Sequence, residues 1–320
     1  MRDHGGNIDA AIARFGGTAA GWIDLSTGIN RVPYPVPPIP APAWTMLPTR
    51  AATERLTAAA RGAYGTAADI LPVAGAQAAI QMIPRLSRPG RARVLGPTYN
   101  EHAGALRSAG WTVEEVRTPE ALAGADLAVI VNPNNPDGRV LTPDALRALA
   151  GRVGRIVVDE SFADATPETS VARGALDHGT LVLRSFGKFY GLAGLRLGFV
   201  LGSTSEIARL ADMAGPWPVN GAAIEVGAAA LADHAWARDT RDRLAGEAGW
   251  LDALAAGAGW RSIGGTTLFR LYDTPAAAKA QERLARARIW SRIFPYSGTW
   301  LRLGLPGGEA EWSRLAAALA

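Results

Sequence analysis

Residues 185–198 read Ser185-Phe186-Gly187-Lys188-Phe189-Tyr190-Gly191-Leu192-Ala193-Gly194-Leu195-Arg196-Leu197-Gly198. One lysine stands between a hydroxyl and a guanidinium, with four glycines spaced through the loop. Short apolar runs flank it, at 180–183 and 197–201, and both read as buried strands. A lysine in a glycine-rich loop beside anion-binding groups suits a Schiff base with a phosphorylated aldehyde. The amine of Lys188 makes the covalent bond. Ser185 and Arg196 hold the phosphate, the arginine as a planar fork that can grip two oxygens.

Lysine is otherwise scarce, which narrows the choice. Only Lys279 competes, and it lies in an Ala/Arg/Glu-rich helical pattern over 275–288, where it reads as a solvated residue. The 320 residues are 48% hydrophobic and 19% charged, enough apolar surface for a large core and against disorder. There is no cysteine, so no disulfide framework and no thiolate metal site, and no metal is expected. The net charge of +4 is spread along the chain rather than gathered in a basic stripe, which argues against nucleic acid. No apolar run approaches about 18 residues, so no membrane span is expected. The first residues lack the apolar core of a signal peptide, which points to the cytoplasm.

From residue 50 onward strands and helices alternate. Strands are expected at 70–73, 93–95, 112–116, 127–131, 155–158, 180–183 and 197–201, with helices at 50–64, 76–86, 102–108 and 143–151. This alternation predicts an α/β fold with a mainly parallel central sheet covered by helices. Ligands sit at the carboxyl ends of such strands. After Pro216-Trp217-Pro218 the pattern becomes α+β, with a long helical run over 222–255 and strands at 260–263, 268–271 and 301–305. The expected division is a large domain over 49–220 and a small one from 1–48 with 221–320. The proline-rich stretch 33–48 reads as an extended arm.

The remaining polar motifs stand at those strand ends. The run 127–131 opens into Asn132-Pro133-Asn134-Asn135-Pro136-Asp137-Gly138, a turn rich in side-chain hydrogen-bonding groups. The run 155–158 ends in Asp159-Glu160-Ser161-Phe162. Small residues at Gly75-Ala76-Gln77 lead from a strand into a helix, where backbone amides can approach a phosphate. Tyr99 follows the strand at 93–95. Arg302 lies inside an apolar strand and so calls for an anionic partner. Arg292 is a second such arginine ten residues earlier, and two arginines suggest a substrate with two anionic groups.

Together these segments resemble fold-type I pyridoxal-phosphate enzymes, the aspartate aminotransferase superfamily, in order and across nearly the whole chain. The resemblance implies pyridoxal 5′-phosphate as cofactor and Lys188 as its covalent anchor. It puts Asp159 on the pyridine nitrogen, Asn135 on the phenolic oxygen and Tyr99 against the ring. Gly75, Ala76, Gln77, Ser185 and Arg196 would surround the phosphate. Phe162 stands where the aminotransferase pattern usually has tyrosine, so Asn135 carries more of the phenolic contact.

Asp3-His4-Gly5-Gly6-Asn7 and Ile23-Asp24-Leu25-Ser26-Thr27-Gly28-Ile29-Asn30 look like the opening of the L-threonine-O-3-phosphate decarboxylases of cobalamin biosynthesis. The Asp-Glu-x-Phe and Phe-Gly-Lys-Phe-Tyr-Gly segments are also like that family. The implied reaction is loss of CO2 from a phosphorylated amino acid, giving aminopropanol phosphate. Arg302 would orient the carboxylate, Asn135 would also face the substrate, and Arg292, His4 and Asn30 are candidates for its phosphate. The related histidinol-phosphate aminotransferases are the alternative. The family is usually homodimeric, which makes the arm 33–48 a candidate for reaching a partner subunit. Regulators built on this fold carry an N-terminal DNA-binding domain, for which no room is seen before residue 50.

Overall fold

Every residue of Leu127–Val131 is buried, and this all-apolar run forms the middle of a sheet covered on both faces. The computed structural model describes residues 4–320. Its strands, in chain order, are β1 (Ile23–Asp24), β2 (Asp69–Val73), β3 (Arg91–Leu95), β4 (Thr112–Val116), β5 (Leu127–Val131), β6 (Ile156–Asp159), β7 (Thr180–Ser185), β8 (Gly198–Gly202), β9 (Arg261–Thr266), β10 (Phe269–Asp273), β11 (Ile289–Trp290), β12 (Arg292–Phe294) and β13 (Ser297–Gly304).

The chain forms two compact units. The larger comprises Tyr34–Asn135 and Val140–Arg238. It holds a seven-stranded sheet in the order β2-β8-β7-β6-β5-β3-β4. The pairings from β7 through to β4 are all parallel, and β8 runs antiparallel to both of its neighbours. This is the expected mainly parallel sheet. The helix Arg50–Tyr64 starts at Thr49, whose hydroxyl accepts the Ala52 N–H, and stops at Gly65 in the left-handed region. The expected helix over 76–86 breaks after Met82 into a 3-10 turn, Ile83–Arg85, carrying Pro84. Because β5, β6 and β7 are parallel neighbours, their carboxyl ends lie along one edge. The three motifs after Val131, Asp159 and Ser185 therefore meet there.

The smaller unit comprises residues 4–33, Pro136–Arg139 and Asp239–Ala320. Its four-stranded antiparallel sheet has the order β12-β13-β10-β9, and β1 pairs in parallel with β11. The short strands β11 and β12 had no strand signal in the sequence. They form by pairing with segments that are distant or that double back through a hairpin.

These bounds differ from the expected division in three places: Pro136–Arg139 fall in the smaller unit, and two segments fall in the larger. Part of the arm belongs to the larger unit and carries a short helix, Pro42–Thr45. The helix Gly221–Ala232, expected in the small domain, packs on Arg50–Tyr64 in the larger unit. Its small residues explain this: eight of its residues are buried, and at Gly227 a Cβ would meet the Leu56 and Leu197 side chains at 2.9 Å or closer. The helical run expected over 222–255 is two helices, Gly221–Ala232 and His234–Gly257.

Candidate active site

One cavity of the larger unit is lined by Gly75, Ala76, Gln77, Tyr99, Asn135, Asp159, Ser185, Lys188 and Arg196. All nine residues singled out around the cofactor thus share one space, although the chain separates them by up to 121 positions. Phe162 and Ser161 line it too. Lys188 sits in the one-turn helix Phe186–Phe189 that follows β7, with Ser185, the last residue of β7, at its N-cap. Its ammonium nitrogen lies 5.9 Å from the centroid of the Phe162 ring.

Asp159 ends β6 and is buried. Three donors converge on its carboxylate. His102 Nε2 lies 2.7 Å from Oδ2, the Ser161 hydroxyl donates to Oδ1 at 2.5 Å, and the Ser161 N–H donates to the same oxygen at 3.0 Å. Burial pushes this carboxyl upward, but the His102 and Ser161 contacts outweigh it. The group is held below the usual carboxylate range and stays ionised. His102 had no motif to mark it. A histidine on the buried face of the helix Glu101–Ser108 was the only signal, and most such residues are simply core.

The turn after β5 holds three asparagines, and the structure separates their tasks. Asn132 bonds to the Leu141 backbone in both directions and to the Thr169 carbonyl. Asn134 accepts the Thr98 hydroxyl at 2.6 Å and donates to the Pro97 carbonyl. Asn135 is the one that lines the cavity. Gln77 donates to Glu101 at 3.0 Å, and the Tyr99 hydroxyl reaches Gln77 Oε1 at 3.4 Å, so a side-chain relay ties Tyr99 to the helix start at Gly75.

Gly75 has φ +73°, and a Cβ there would lie 2.7 Å from Arg196 Nη2. The guanidinium therefore rests directly against backbone that only glycine leaves open. Arg196 is itself in the left-handed region, φ 56°, a conformation an arginine rarely adopts. The cavity offers an amine, an ionised carboxylate, an amide, a hydroxyl and a guanidinium beside exposed backbone. Those donors match the aldehyde, pyridinium, phenolic oxygen and phosphate of pyridoxal phosphate, so the residues fit that group.

The other predicted residues, His4, Asn30, Arg292 and Arg302, belong to the smaller unit. Arg292 and Arg302 face each other across β12 and β13 as direct partners. Arg302 donates to the Ser26 carbonyl at 2.7 Å and its guanidinium lies 5.0 Å from the Phe269 ring centroid. Burial, with Arg292 adding to it, lowers this guanidinium to about 10. Like charges directly opposite on a sheet repel, and an anion between them removes the repulsion. Asn30 is buried, and its side-chain oxygen accepts from the Val32 N–H and from Arg243 at 2.9 Å. That oxygen serves the loop. His4 is exposed. The adjoining glycines hold the terminal segment on the 24–27 loop: the Gly6 N–H donates to the Ser26 hydroxyl at 2.7 Å, and a Cβ at Gly5 would collide with the Ser26 carbonyl oxygen. Asp3 lies outside the described residues.

The family model of aminotransferase class I and II matches residues 46–319. The chain belongs to this family. Within it, the chain is 46% identical to a threonine-phosphate decarboxylase of Sinorhizobium sp, over 99% of this chain and 97% of that one. The threonine-phosphate decarboxylase of Pseudomonas aeruginosa is also 46% identical, over 100% of this chain and 97% of that one. A solved histidinol-phosphate aminotransferase from Sinorhizobium meliloti, in complex with pyridoxal-5′-phosphate, shares the fold. Its TM-score is 0.80 at 21% identity, covering 97% of this chain and 92% of that one. The aminotransferase family thus supplies the architecture, and the decarboxylases are similar over the full length. Among the described residues no helix is long and apolar enough to cross a membrane, and no three His, Asp or Glu side chains gather in a way that could hold a metal ion.

Proposed function

We propose that this chain decarboxylates L-threonine O-3-phosphate to (R)-1-amino-2-propanol O-2-phosphate and CO2, a reaction that serves assembly of the cobalamin nucleotide loop. The observation that carries the reading is near-full-length similarity at 46% to two threonine-phosphate decarboxylases. Pyridoxal phosphate is the cofactor, and when bound it supplies an electron sink for the pair left on the substrate's α-carbon as CO2 departs.

The chain's own residues do the rest. Lys188 Nζ anchors the cofactor and afterwards returns a proton to the α-carbon. Asp159, ionised and held by His102 and Ser161, keeps the proton on the pyridine nitrogen. Asn135 donates to the phenolic oxygen, with Phe162 adding no hydroxyl beside it. Ser185, Arg196 and the backbone at Gly75, Ala76 and Gln77 hold the cofactor phosphate, and Tyr99 covers the ring. Arg302 binds the substrate carboxylate and so sets which bond at the α-carbon stands perpendicular to the ring. Arg292, with His4 and Asn30, takes the substrate phosphate. The cross-strand pairing of Arg292 and Arg302 supports a substrate carrying two anions.

We further infer a cytoplasmic homodimer. Trp44, Met46 and Leu47, at the end of the arm, are each more than 60% exposed, an apolar surface suited to a second copy. Sedimentation at micromolar concentration tests this, and a monomer there overturns it.

Activity is tested by mixing the cofactor-loaded protein with L-threonine O-3-phosphate. CO2 and aminopropanol phosphate, with no keto acid, are the expected products. Conversion of the cofactor to its amine form by histidinol phosphate, without CO2, would move the chain to the aminotransferases.

A further inference from the structure

Beneath the cavity of the larger unit lies a buried ionic cluster that none of the roles above uses. Arg184 precedes Ser185 on β7 and is almost wholly buried. Its Nη1 donates to Glu160 at 2.8 Å, and its Nη2 donates to Asp164. Glu160 and Asp164 are themselves buried. The guanidinium lies over the ring of Tyr64, 4.3 Å from centroid to Cζ. Glu160 also accepts the Ser170 hydroxyl at 2.5 Å and the Val171 N–H at 2.7 Å. Its own N–H donates to the Leu183 carbonyl at 2.9 Å.

The position of this cluster in the chain gives it meaning. Glu160 follows Asp159, and Glu160 and Asp164 bracket the turn that carries Ser161 and Phe162. Arg184 comes immediately before Ser185 and four residues before Lys188. The cluster therefore ties the end of β6 to the end of β7 at the level where the Asp159 carboxylate, the Ser185 hydroxyl and the Lys188 turn enter the cavity. Two carboxylates against one guanidinium are not what stability alone would choose, because burying ions costs more than a well-packed apolar replacement. A network whose members are mutually hydrogen-bonded does, however, hold its backbone in one arrangement.

We propose that Arg184, Glu160 and Asp164 are positioning residues: a buried clamp that sets the spacing between Asp159 and the Ser185–Lys188 turn, and thereby the affinity for the cofactor. The proposal rests on pyridoxal phosphate occupying the cavity. Glu160→Ala opens the clamp and leaves Arg184 matched to Asp164, so no uncompensated charge stays buried. Glu160→Gln keeps the shape but only one acceptor oxygen: it can serve the Val171 N–H, while its amide group stands where the second oxygen accepted Ser170 and Arg184.

The test measures the dissociation constant for pyridoxal phosphate by absorbance, and melting temperatures with and without it. In Glu160→Ala the dissociation constant should rise about tenfold, and in Glu160→Gln, which also loses the Arg184 contact, it should rise as well but no further, since small displacements of binding groups weaken binding. The increase in melting temperature on adding cofactor should shrink in the alanine variant, as linkage requires. A merely structural role would lower both melting temperatures equally and leave the increment and the dissociation constant unchanged. That result overturns the clamp. If Glu160→Ala does not fold, Asp164→Ala leaves the Arg184–Glu160 pair matched and is read by the same criteria. A wild-type protein that takes up no cofactor would overturn the reading beneath the clamp, and the clamp with it.

Discussion

Replacing Arg302 by methionine should make the substrate-free protein more stable. Burial, then Arg292 across the hairpin, lowers the Arg302 guanidinium to about 10. That fall from the ordinary arginine value disfavours the cation by about 3 kcal/mol. The sign follows from the direction of the shift. A base whose folded pKa is depressed is penalised in full at every pH below the folded value, and is relieved only as pH rises from about 10 toward the ordinary value. At pH 7.5 the whole penalty is present. Against it stand the bond to the Ser26 carbonyl and the contact with Phe269, together worth about 2 kcal/mol. Methionine keeps most of the volume. The net gain is about 1 kcal/mol, which raises the melting temperature by about 2 °C. Calorimetry in a chloride-only buffer measures this. L-threonine O-3-phosphate should then raise the wild-type melting temperature by more than the variant's, because the variant has lost the cation for the carboxylate while keeping Arg292. A variant that melts below wild type without substrate would refute the reasoning, and with it the view that Arg302 is held in a poor environment for the sake of an anion.

Lys188→Ala should lower turnover by at least about a thousandfold while cofactor still binds without a covalent link; CO2 release at the wild-type rate would contradict the assigned role. His102→Phe removes a donor from Asp159 and lets burial dominate its pKa. A depressed carboxylate contributes above its unfolded pKa, and that contribution fades as pH falls through the folded one. The acid limb of cofactor retention should therefore move to higher pH in the variant. An absorbance titration of the bound cofactor reads this, and an unmoved limb would disconnect His102 from Asp159. Gly75→Ala places a Cβ 2.7 Å from Arg196 Nη2 at a φ of +73°. The strain of about 1 kcal/mol and the displaced guanidinium should weaken cofactor binding about tenfold. Unchanged binding would show that the phosphate is held elsewhere.

The sequence by itself determined the sheet and the ring of residues along its edge. Apolar runs of four to six residues alternating with helices specify parallel strands. In a parallel sheet the residues that follow consecutive strands arrive at the same edge, so Asn135, Asp159 and Lys188 could be grouped without coordinates. The glycine-rich lysine segment was legible for a similar reason: its chemistry and its local backbone requirement lie within fourteen consecutive residues. What only the tertiary structure decided were contacts between distant segments with no local signature. His102 meets Asp159 across 57 positions, and Arg302 reaches the Ser26 carbonyl across 276. Arg292 and Arg302 became partners only through the register of the β12–β13 hairpin, and β12 itself is too short to announce a strand. The helix Gly221–Ala232 was misplaced because nearly all its residues are small and apolar. Such a helix has no polar face to orient it, and only close approach to Arg50–Tyr64, through Gly227 and its alanines, fixes where it packs. Local propensity acts over a turn or two. Burial of ions, cross-strand register and helix packing depend on which surfaces the fold brings together, and those were settled by the strand order of the sheets.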